Sequence, residues 1–224
     1  MEKIELLLQI GPSLSSKYPG LKATIFSISG VVVQRSTPAL TELKRAVAEE
    51  IRSNYTLETL KEVPMFRADR DFFWHIGIDP TKIRPAAEAL IRRMLAGHSI
   101  PEINTLVDAY NLASIRTGVP IAAFDQSKLH GQLSMRPALA GERFLGIGMG
   151  KPMDLNGGEV VVADDEKLIA VYPYRDADST KVDETTRDVV LMVCGAPGID
   201  DESLRRAEQV ASELVLQYCG GKRA

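Results

Sequence analysis

Three short polar side chains recur at helical spacing near the middle of the chain. Asn104, Asp108 and Asn111 stand four and three residues apart, so on a helix they share one face. A helix face that meets only solvent normally carries Lys and Glu, and this one does not. Two amides and a carboxylate in a row indicate a helix that offers hydrogen bonds either to a buried network or to a ligand.

A second group of polar side chains follows a predicted strand, in the stretch YPYRDADSTKV at residues 172–182. Arg175, Asp176, Asp178 and Thr180 fall within six positions of what the pattern predicts to be a loop. Loops on a rigid scaffold commonly bring polar groups to the mouth of a pocket. A solvated turn with a local ion pair is the alternative explanation.

Standard motifs for catalysis and cofactor binding do not accompany these groups. The chain has no G-x-S-x-G elbow, phosphate-binding loop, H-E-x-x-H or dinucleotide fingerprint. Residues 146–150 are glycine-rich, but no long helical pattern follows them, so a turn is predicted. His75, His98 and His130 stand singly, without the spacing of a metal site. We therefore expect neither a cofactor nor a metal.

The composition is that of an ordinary globular protein. The 224 residues are 45% hydrophobic and 25% charged, and the net charge of −3 argues against a general nucleic-acid binder. A local basic patch remains open, with an ordinary solvated face as the alternative; it comprises Lys82, Arg84, Arg92 and Arg93. No apolar run approaches the roughly 18 residues that cross a bilayer, and the N-terminus is too acidic for a signal peptide. These features predict a cytoplasmic protein without membrane contact.

The elements that must position the polar groups follow an α+β pattern. Strands are predicted at 4–10 and 23–33, separated by turns, and helices at 38–53, after Thr56, at 64–77, from 85 to 97 and from 103. Residues 118–125 are predicted to form a loop. From Ser127 onward, short β segments alternate with turns, and Asp200 or Asp201 caps a last helix. A single α+β domain with mainly antiparallel strands follows.

Several large or reactive side chains are expected in the core rather than in a site. Trp74 is predicted to pack there together with its neighbours Phe72 and Phe73. Cys194 and Cys219 lack C-x-x-C spacing and are predicted to be small buried hydrophobes.

Seven blocks of the sequence together resemble a known family. They read GIDPTKIRPAAEALIRR, INTLVDAYNLAS, GVPIAAFD, GQLSMRPALAGERF, GEVVVADD, RDADSTKV and TTRDVVL, and they resemble the free-standing relatives of the B3/B4 domain in the beta subunit of phenylalanyl-tRNA synthetase. The resemblance implies a single B3/B4-like domain over residues 1–224, with its core at 66–224 and N-terminal strands and helices at 1–65. It implies a mainly antiparallel β-sandwich of unusual topology packed with helices.

The resemblance also implies an activity, with two departures at the site. In the synthetase this domain hydrolyses tRNA that carries the wrong amino acid. The family usually has a histidine where this chain has Ala122, and a glutamate where it has Met192. A thioether cannot replace a carboxylate as partner of a phenolic hydroxyl, so the amino acid is not expected to be tyrosine. The remaining predicted substrate contacts are Asn104, Asn111, Arg136, Glu159, Asp178 and Thr180, beside Ala122 and Met192 themselves.

The leading interpretation is a stand-alone aminoacyl-tRNA deacylase that acts in trans without a metal. Asp108 or Asp176 would orient the attacking water, and Arg175 would stabilise developing charge. Because the histidine and the glutamate are missing, a non-catalytic protein that binds tRNA or an amino acid is an alternative. A hydrolase of a small amino-acid derivative is another, because the net charge gives no support for an RNA partner.

Overall fold

The computed structural model describes residues 6–224. The helices are α1 (Pro12–Lys17), α2 (Pro38–Asn54), α3 (Pro64–His75), α4 (Ala86–Leu95), α5 (Thr105–Thr117) and α6 (Asp201–Cys219). The strands are β1 (Leu8–Ile10), β2 (Lys22–Ser29), β3 (Ile121–Asp125), β4 (Leu133–Pro137), β5 (Arg143–Phe144), β6 (Met153–Asp154), β7 (Val160–Ala163), β8 (Leu168–Val171), β9 (Arg175–Asp176), β10 (Asp188–Gly195) and β11 (Lys222–Arg223). Three short 3₁₀ turns lie at Leu60–Glu62, Gln126–Lys128 and Asp178–Thr180.

Two sheets form the body of the domain. One has the order β11-β2-β10-β3 with antiparallel pairs throughout, and the other has the order β1-β4-β7-β8-β9. In the second sheet β1 pairs with β4 in parallel, and the pairs that follow are antiparallel. Buried residues of both sheets belong to one hydrophobic core. The α+β class and the mainly antiparallel sandwich predicted from the sequence are confirmed.

The central strand β10 is apolar on both faces. Its residues from Val189 to Gly195 are all buried. Successive side chains point to opposite faces, so Met192 and Cys194 share one face while Leu191 and Val193 share the other. Helices α5 and α6 pack against each other and against strands of this sheet. One face of β10 therefore meets helices, and the other is available to the second sheet.

Local sequence signals place the helix ends well. The Thr37 hydroxyl accepts the N–H of Leu40, and Pro38 begins α2, which ends one residue after the predicted position 53. The Asp200 carboxylate accepts the N–H of Ser203 at 2.7 Å and caps α6. Short-range hydrogen bonds decide both starts, so the sequence was sufficient to predict them.

The predicted loop at 118–125 is wrong for most of its length. Gly118 ends α5 in the left-handed conformation (φ 76°), but Ile121–Asp125 is a strand with every residue buried. A buried backbone must pair its N–H and C=O groups, and these pair with β10. The predicted polar loop at 175–180 is likewise ordered into β9 and a 3₁₀ turn.

Two further expectations differ from the structure. Trp74 is 55% exposed, whereas Phe72 and Phe73 are buried, because consecutive helical residues point about 100° apart and cannot all face one core. At the N-terminus the predicted strand at 4–10 is observed as Leu8–Ile10, its residues 4 and 5 lie outside the described residues, and the predicted turn after it is the short helix α1. Cys194 and Cys219 are buried and free, which confirms their prediction.

Candidate active site

A small cavity of about 80 Å³ lies between the two sheets. Ala122 of β3 and Met192 of β10 line it from one sheet, and they are paired across the antiparallel register. Cys194 lies two residues beyond Met192 on the same face. Asp176, the last residue of β9, lines the cavity from the other sheet. The structure therefore brings together four predicted site residues from distant parts of the chain, Ala122, Arg175, Asp176 and Met192.

Asp176 is the acidic group in this cavity. It is half-buried, at the edge strand of its sheet, where Ala170 is its partner. Burial raises the pKa of the Asp176 carboxyl to about 7, because a low-dielectric environment disfavours the charged form. A carboxyl with a pKa near neutrality can both accept and return a proton at physiological pH, which is the requirement for general acid–base catalysis.

Tyr110 of α5 is a second titratable group, close enough to Asp176 to be affected by its charge. Burial raises the pKa of its hydroxyl, and the negative charges of Asp176 and Asp108 raise it further. The phenol therefore remains protonated and available as a hydrogen-bond donor. The pattern of α5 gave no signal for this role, because tyrosine at an apolar position usually contributes its ring to the core.

Asp108 makes a different kind of contact. Its carboxylate forms a buried ion pair with Lys44 of α2 and accepts the N–H of Ile103 at 3.1 Å. Lys44 also donates to the carbonyl of Pro101 at 2.9 Å. Burial raises the pKa of Asp108, and the hydrogen bond from Lys44 opposes that shift. Among the described residues Asp108 is not part of the cavity wall, and its contacts tie α5 to α2.

Asn104, Asp108 and Asn111, which were predicted to share one polar helix face, thus have different surroundings. The Asn104 side chain accepts the N–H of Val107 at 2.9 Å and caps the helix. Asn111 is half-buried. Lys44 was missed by the sequence analysis, although its spacing of four residues after Leu40 places it on the buried stripe of α2. A lysine within an apolar stripe was the available signal for a buried acidic partner.

Two other predicted substrate contacts are engaged in local hydrogen bonds. Arg136 makes two bonds to Glu142, at 2.9 and 2.6 Å, in a bidentate ion pair. Glu159 accepts the N–H groups of Asn156 and Gly157, each at 2.8 Å. These bonds stabilise turns beside β4 and β7, and among the described residues neither side chain lines the cavity.

Glu159 does line a larger cleft of about 500 Å³. Tyr18 and His75 form part of its wall opposite the β6–β7 turn. The cleft and the cavity share Tyr172 and Tyr174 as lining residues, so the two spaces adjoin each other. A ligand that filled the cavity with one end could extend its other end into the cleft.

Within the described part of the 175–180 segment, Arg175 also lines the cavity, whereas Asp178 and Thr180 are not part of its wall. Arg175 is exposed and donates one hydrogen bond to the carbonyl of Ile147 at 3.0 Å. Asp178 is paired with Lys181 at 2.7 Å. Thr180 is fully buried, and within the described residues its hydroxyl has no hydrogen-bond partner.

The four predicted RNA contacts do not form one uniform patch. Arg92 lies 3.5 Å from Glu88, and Arg93 donates to the carbonyl of Ser99 at 2.7 Å. Lys82 and Arg84 are exposed, and Arg84 stands two residues before Ala86, which lines the cavity. Arg93 is exposed as well, and Arg92 is half-buried.

Behind the cavity, α3 and α4 bury two further carboxyl groups. Glu88 is fully buried and accepts a hydrogen bond from Arg70 at 2.9 Å. Burial, with the charge of Glu88, raises the pKa of Asp69 well above its usual range. Within residues 6–224 no three His, Cys, Asp or Glu side chains are grouped closely enough to hold a metal ion. No helix of the described part is long and apolar enough to cross a membrane.

Comparison with known proteins assigns the chain to a family. The B3/4 domain family model matches residues 68–220, which is well over half of the chain, and the chain therefore belongs to the B3/4 domain family. The resemblance found in the sequence is thereby confirmed.

Relatives that match include phenylalanine–tRNA ligase beta subunits. The chain is 27% identical over 213 residues to that of Aquifex aeolicus, covering 80% of this chain and 27% of the relative. It is 28% identical over 160 residues to that of Bartonella henselae, covering 61% of this chain and 20% of the relative. An N-terminal fragment of the phenylalanyl-tRNA synthetase beta subunit from Pyrococcus horikoshii shares the fold, with a TM-score of 0.54 and 14% identity, covering 100% of this chain and 51% of the fragment. This chain thus spans only about a quarter or less of the length of the ligase subunits.

Proposed function

We propose that this chain is a stand-alone aminoacyl-tRNA deacylase, which hydrolyses the ester between an amino acid and the 3′ end of a mischarged tRNA in trans. The observation that carries the proposal is the Asp176 carboxyl, with its pKa raised to about 7, in the cavity between the sheets. Membership of the B3/4 domain family and relatives named as tRNA ligase subunits support a charged tRNA as substrate. Charged tRNA is found in the cytoplasm, where the sequence predicts the protein to be.

The reaction requires one proton carrier. Ionised Asp176 takes a proton from water as the water oxygen bonds to the ester carbonyl carbon. The bond from that carbon to the ribose oxygen then breaks, and protonated Asp176 returns the proton to the ribose oxygen. A pKa near the working pH suits both transfers. Water is the only co-reactant.

The negative charge that forms on the carbonyl oxygen needs a donor. Tyr110 remains protonated beside Asp176, and its hydroxyl is proposed to donate to that oxygen. Arg175 uses one N–H for the carbonyl of Ile147 and has further N–H groups to offer to the same oxygen or to a phosphate. No step of this scheme needs a metal or a cofactor.

The adjoining cleft supports an ester substrate whose alcohol part is large, such as a nucleoside. A cleft of about 500 Å³ borders a cavity of about 80 Å³, so an acyl group in the cavity leaves room for a nucleoside beside it. Lys82 and Arg84 are exposed and are proposed to contact the RNA backbone. Glu159 lines the cleft and is proposed to contact the nucleoside.

The test is a panel of tRNAs, each charged with a non-cognate amino acid and incubated with the protein in the presence and absence of a chelator. Faster release of at least one amino acid than in protein-free controls, unaffected by the chelator, is expected. If no amino acid is released faster, the proposal fails.

Ala122 and Met192 favour a second candidate, a protein that binds charged tRNA without turnover. These two residues face the cavity side by side, and neither side chain can transfer a proton. This candidate expects saturable tRNA binding without ester hydrolysis. A hydrolase of small amino-acid derivatives, favoured by the net charge of −3, expects turnover that barely changes with salt, whereas RNA binding weakens steeply as salt is added.

A further inference from the structure

We infer that the cavity between the sheets selects a small, uncharged aminoacyl side chain without a hydroxyl group, such as that of alanine. Met192 sets the upper limit on the size of this side chain. This inference rests on the proposed function, because it names the acyl group that the same site would hold. It concerns which substrate is accepted rather than whether hydrolysis occurs.

The size of the cavity carries the first part of the inference. A volume of about 80 Å³ has room for only a few water-sized groups. An aromatic side chain needs more space, since a cavity of about 150 Å³ is the size that accommodates a benzene ring. A methyl or other short side chain fits together with the reacting ester, whereas a benzyl group requires the wall to move.

Met192 is the wall residue that limits the space. It is 1% exposed, and its partner in the register is Ala122, whose side chain is the smallest apart from glycine. The pair therefore presents one long and one short side chain to the cavity. Removal of the Met192 side chain beyond Cβ would extend the cavity without disturbing the backbone pairing of β10 with β3.

The polarity of the walls carries the second part. Tyr172 lines the cavity, and its hydroxyl donates its proton to the carbonyl of Gly195 at 2.9 Å. The Cys194 thiol is engaged with the carbonyl of Met192 at 3.7 Å. Asp176 is required for the water, and Arg175, which also lines the cavity, is proposed to serve the carbonyl oxygen or a phosphate. A hydroxyl or charged group on the substrate side chain would lose its hydration and find few partners here, which disfavours it.

The test compares one tRNA charged in turn with alanine, serine, valine and phenylalanine. We expect kcat/KM to be highest for the alanyl ester, at least about tenfold lower for seryl and at least about 100-fold lower for phenylalanyl. Met192→Ala should lower the ratio of kcat/KM for the alanyl ester to kcat/KM for the phenylalanyl ester by at least about tenfold. The matched control is Met135→Ala, which removes an equally buried methionine of β4 that is outside the cavity wall, and it should leave the ratio unchanged. An equal ratio in both variants overturns the inference.

A binding measurement separates this inference from the proposed function. The probes are 3′-amino-3′-deoxyadenosine derivatives that carry alanine, serine or phenylalanine through a stable amide, titrated into the full chain by calorimetry. If no ester is hydrolysed but the alanyl probe binds at least about tenfold more tightly than the others, the deacylase proposal fails and the size selection stands. If esters are hydrolysed while all probes bind equally, the deacylase stands and the selection is wrong.

Discussion

Asp176 and Asp108 are both aspartates in polar clusters that sequence reasoning placed in one pocket, yet their surroundings differ. Asp108 has a buried lysine, a backbone N–H and a capped helix start around it. Asp176 faces a cavity in which its side chain has no hydrogen-bond partner among the described residues, and burial is the cause of its raised pKa. A carboxylate with its partners satisfied stabilises the fold, whereas a carboxyl that lacks them in a cavity is poised to exchange a proton with a ligand.

The largest expected effect separates the two aspartates by activity. Asp176→Asn keeps the size of the side chain but removes the proton acceptor, so the hydrolysis rate should fall by about 10²- to 10⁴-fold. The control is Asp178→Asn, two residues away, which removes only the ion pair with Lys181 and should change the rate less than about threefold. Equal losses in the two variants would show that the segment, rather than the Asp176 carboxyl, matters.

The second effect separates them by stability. Asp108→Ala leaves the Lys44 ammonium buried without its partner, so the free energy of unfolding should fall by about 3–5 kcal/mol. Denaturant unfolding measures this loss. Replacing both residues, as Asp108→Leu with Lys44→Met, should recover most of the loss because no charge then remains buried. A double variant as unstable as Asp108→Ala would contradict the ion-pair explanation.

The third effect is a pH dependence of stability that belongs to Asp176. Its pKa is raised to about 7 from the ordinary 3.8, so between about pH 4 and pH 7 the folded protein keeps a proton that the unfolded chain has lost. The contribution of Asp176 to the free energy of unfolding is therefore at its full value below about pH 4 and declines as the pH rises to 7. The side chain of Asp176→Asn cannot titrate. The free energy of unfolding of this variant should therefore rise relative to that of the wild type as the pH increases from about 4 to 7, and the difference should stay constant at higher pH.

Unfolding curves at pH 4, 5.5, 7 and 8.5 measure the difference, with Asp178→Asn as the reference for a nearby aspartate that is not part of the cavity wall. A gap between wild type and Asp176→Asn that stays constant across these four pH values would contradict the raised pKa.

The smallest effect concerns Asn104, which the sequence placed among the substrate contacts. Its side chain caps α5, so Asn104→Ala should lower the free energy of unfolding by about 1 kcal/mol. Asn104→Asp retains a capping oxygen and should restore that stability. Neither variant should alter kcat/KM when measured well below its melting temperature. A lowered kcat/KM in both variants would return Asn104 to the site.

Much of the fold followed from local patterns. The starts of α2 and α6 depended on side chains within three residues, and these were predicted correctly. Residues 121–125 were mistaken for a loop because Ile, two alanines and Phe form a short apolar run that is compatible with several structures, and only pairing with β10 makes it a strand. Trp74 was misplaced because its apolar neighbours suggested burial, while the helix turns it outward.

The candidate site was predicted from the sequence only in part. Asp176 was identified from its cluster, and Ala122 and Met192 from the family resemblance. Tyr110 and Lys44 were missed because each depends on a partner more than 60 residues away along the chain.

By itself the sequence determined the longer helices, the caps of α2 and α6, the α+β class and the family, since these depend on neighbouring residues and on motif order. The tertiary structure alone decided which acid has a cationic partner and which faces a cavity. Burial and long-range pairing set the dielectric environment and the hydrogen bonds around each carboxyl group, and those determine its pKa. Asp108 and Asp176 are chemically identical in the sequence, and the folded chain makes one a stabilising ion pair and the other a candidate acid–base group.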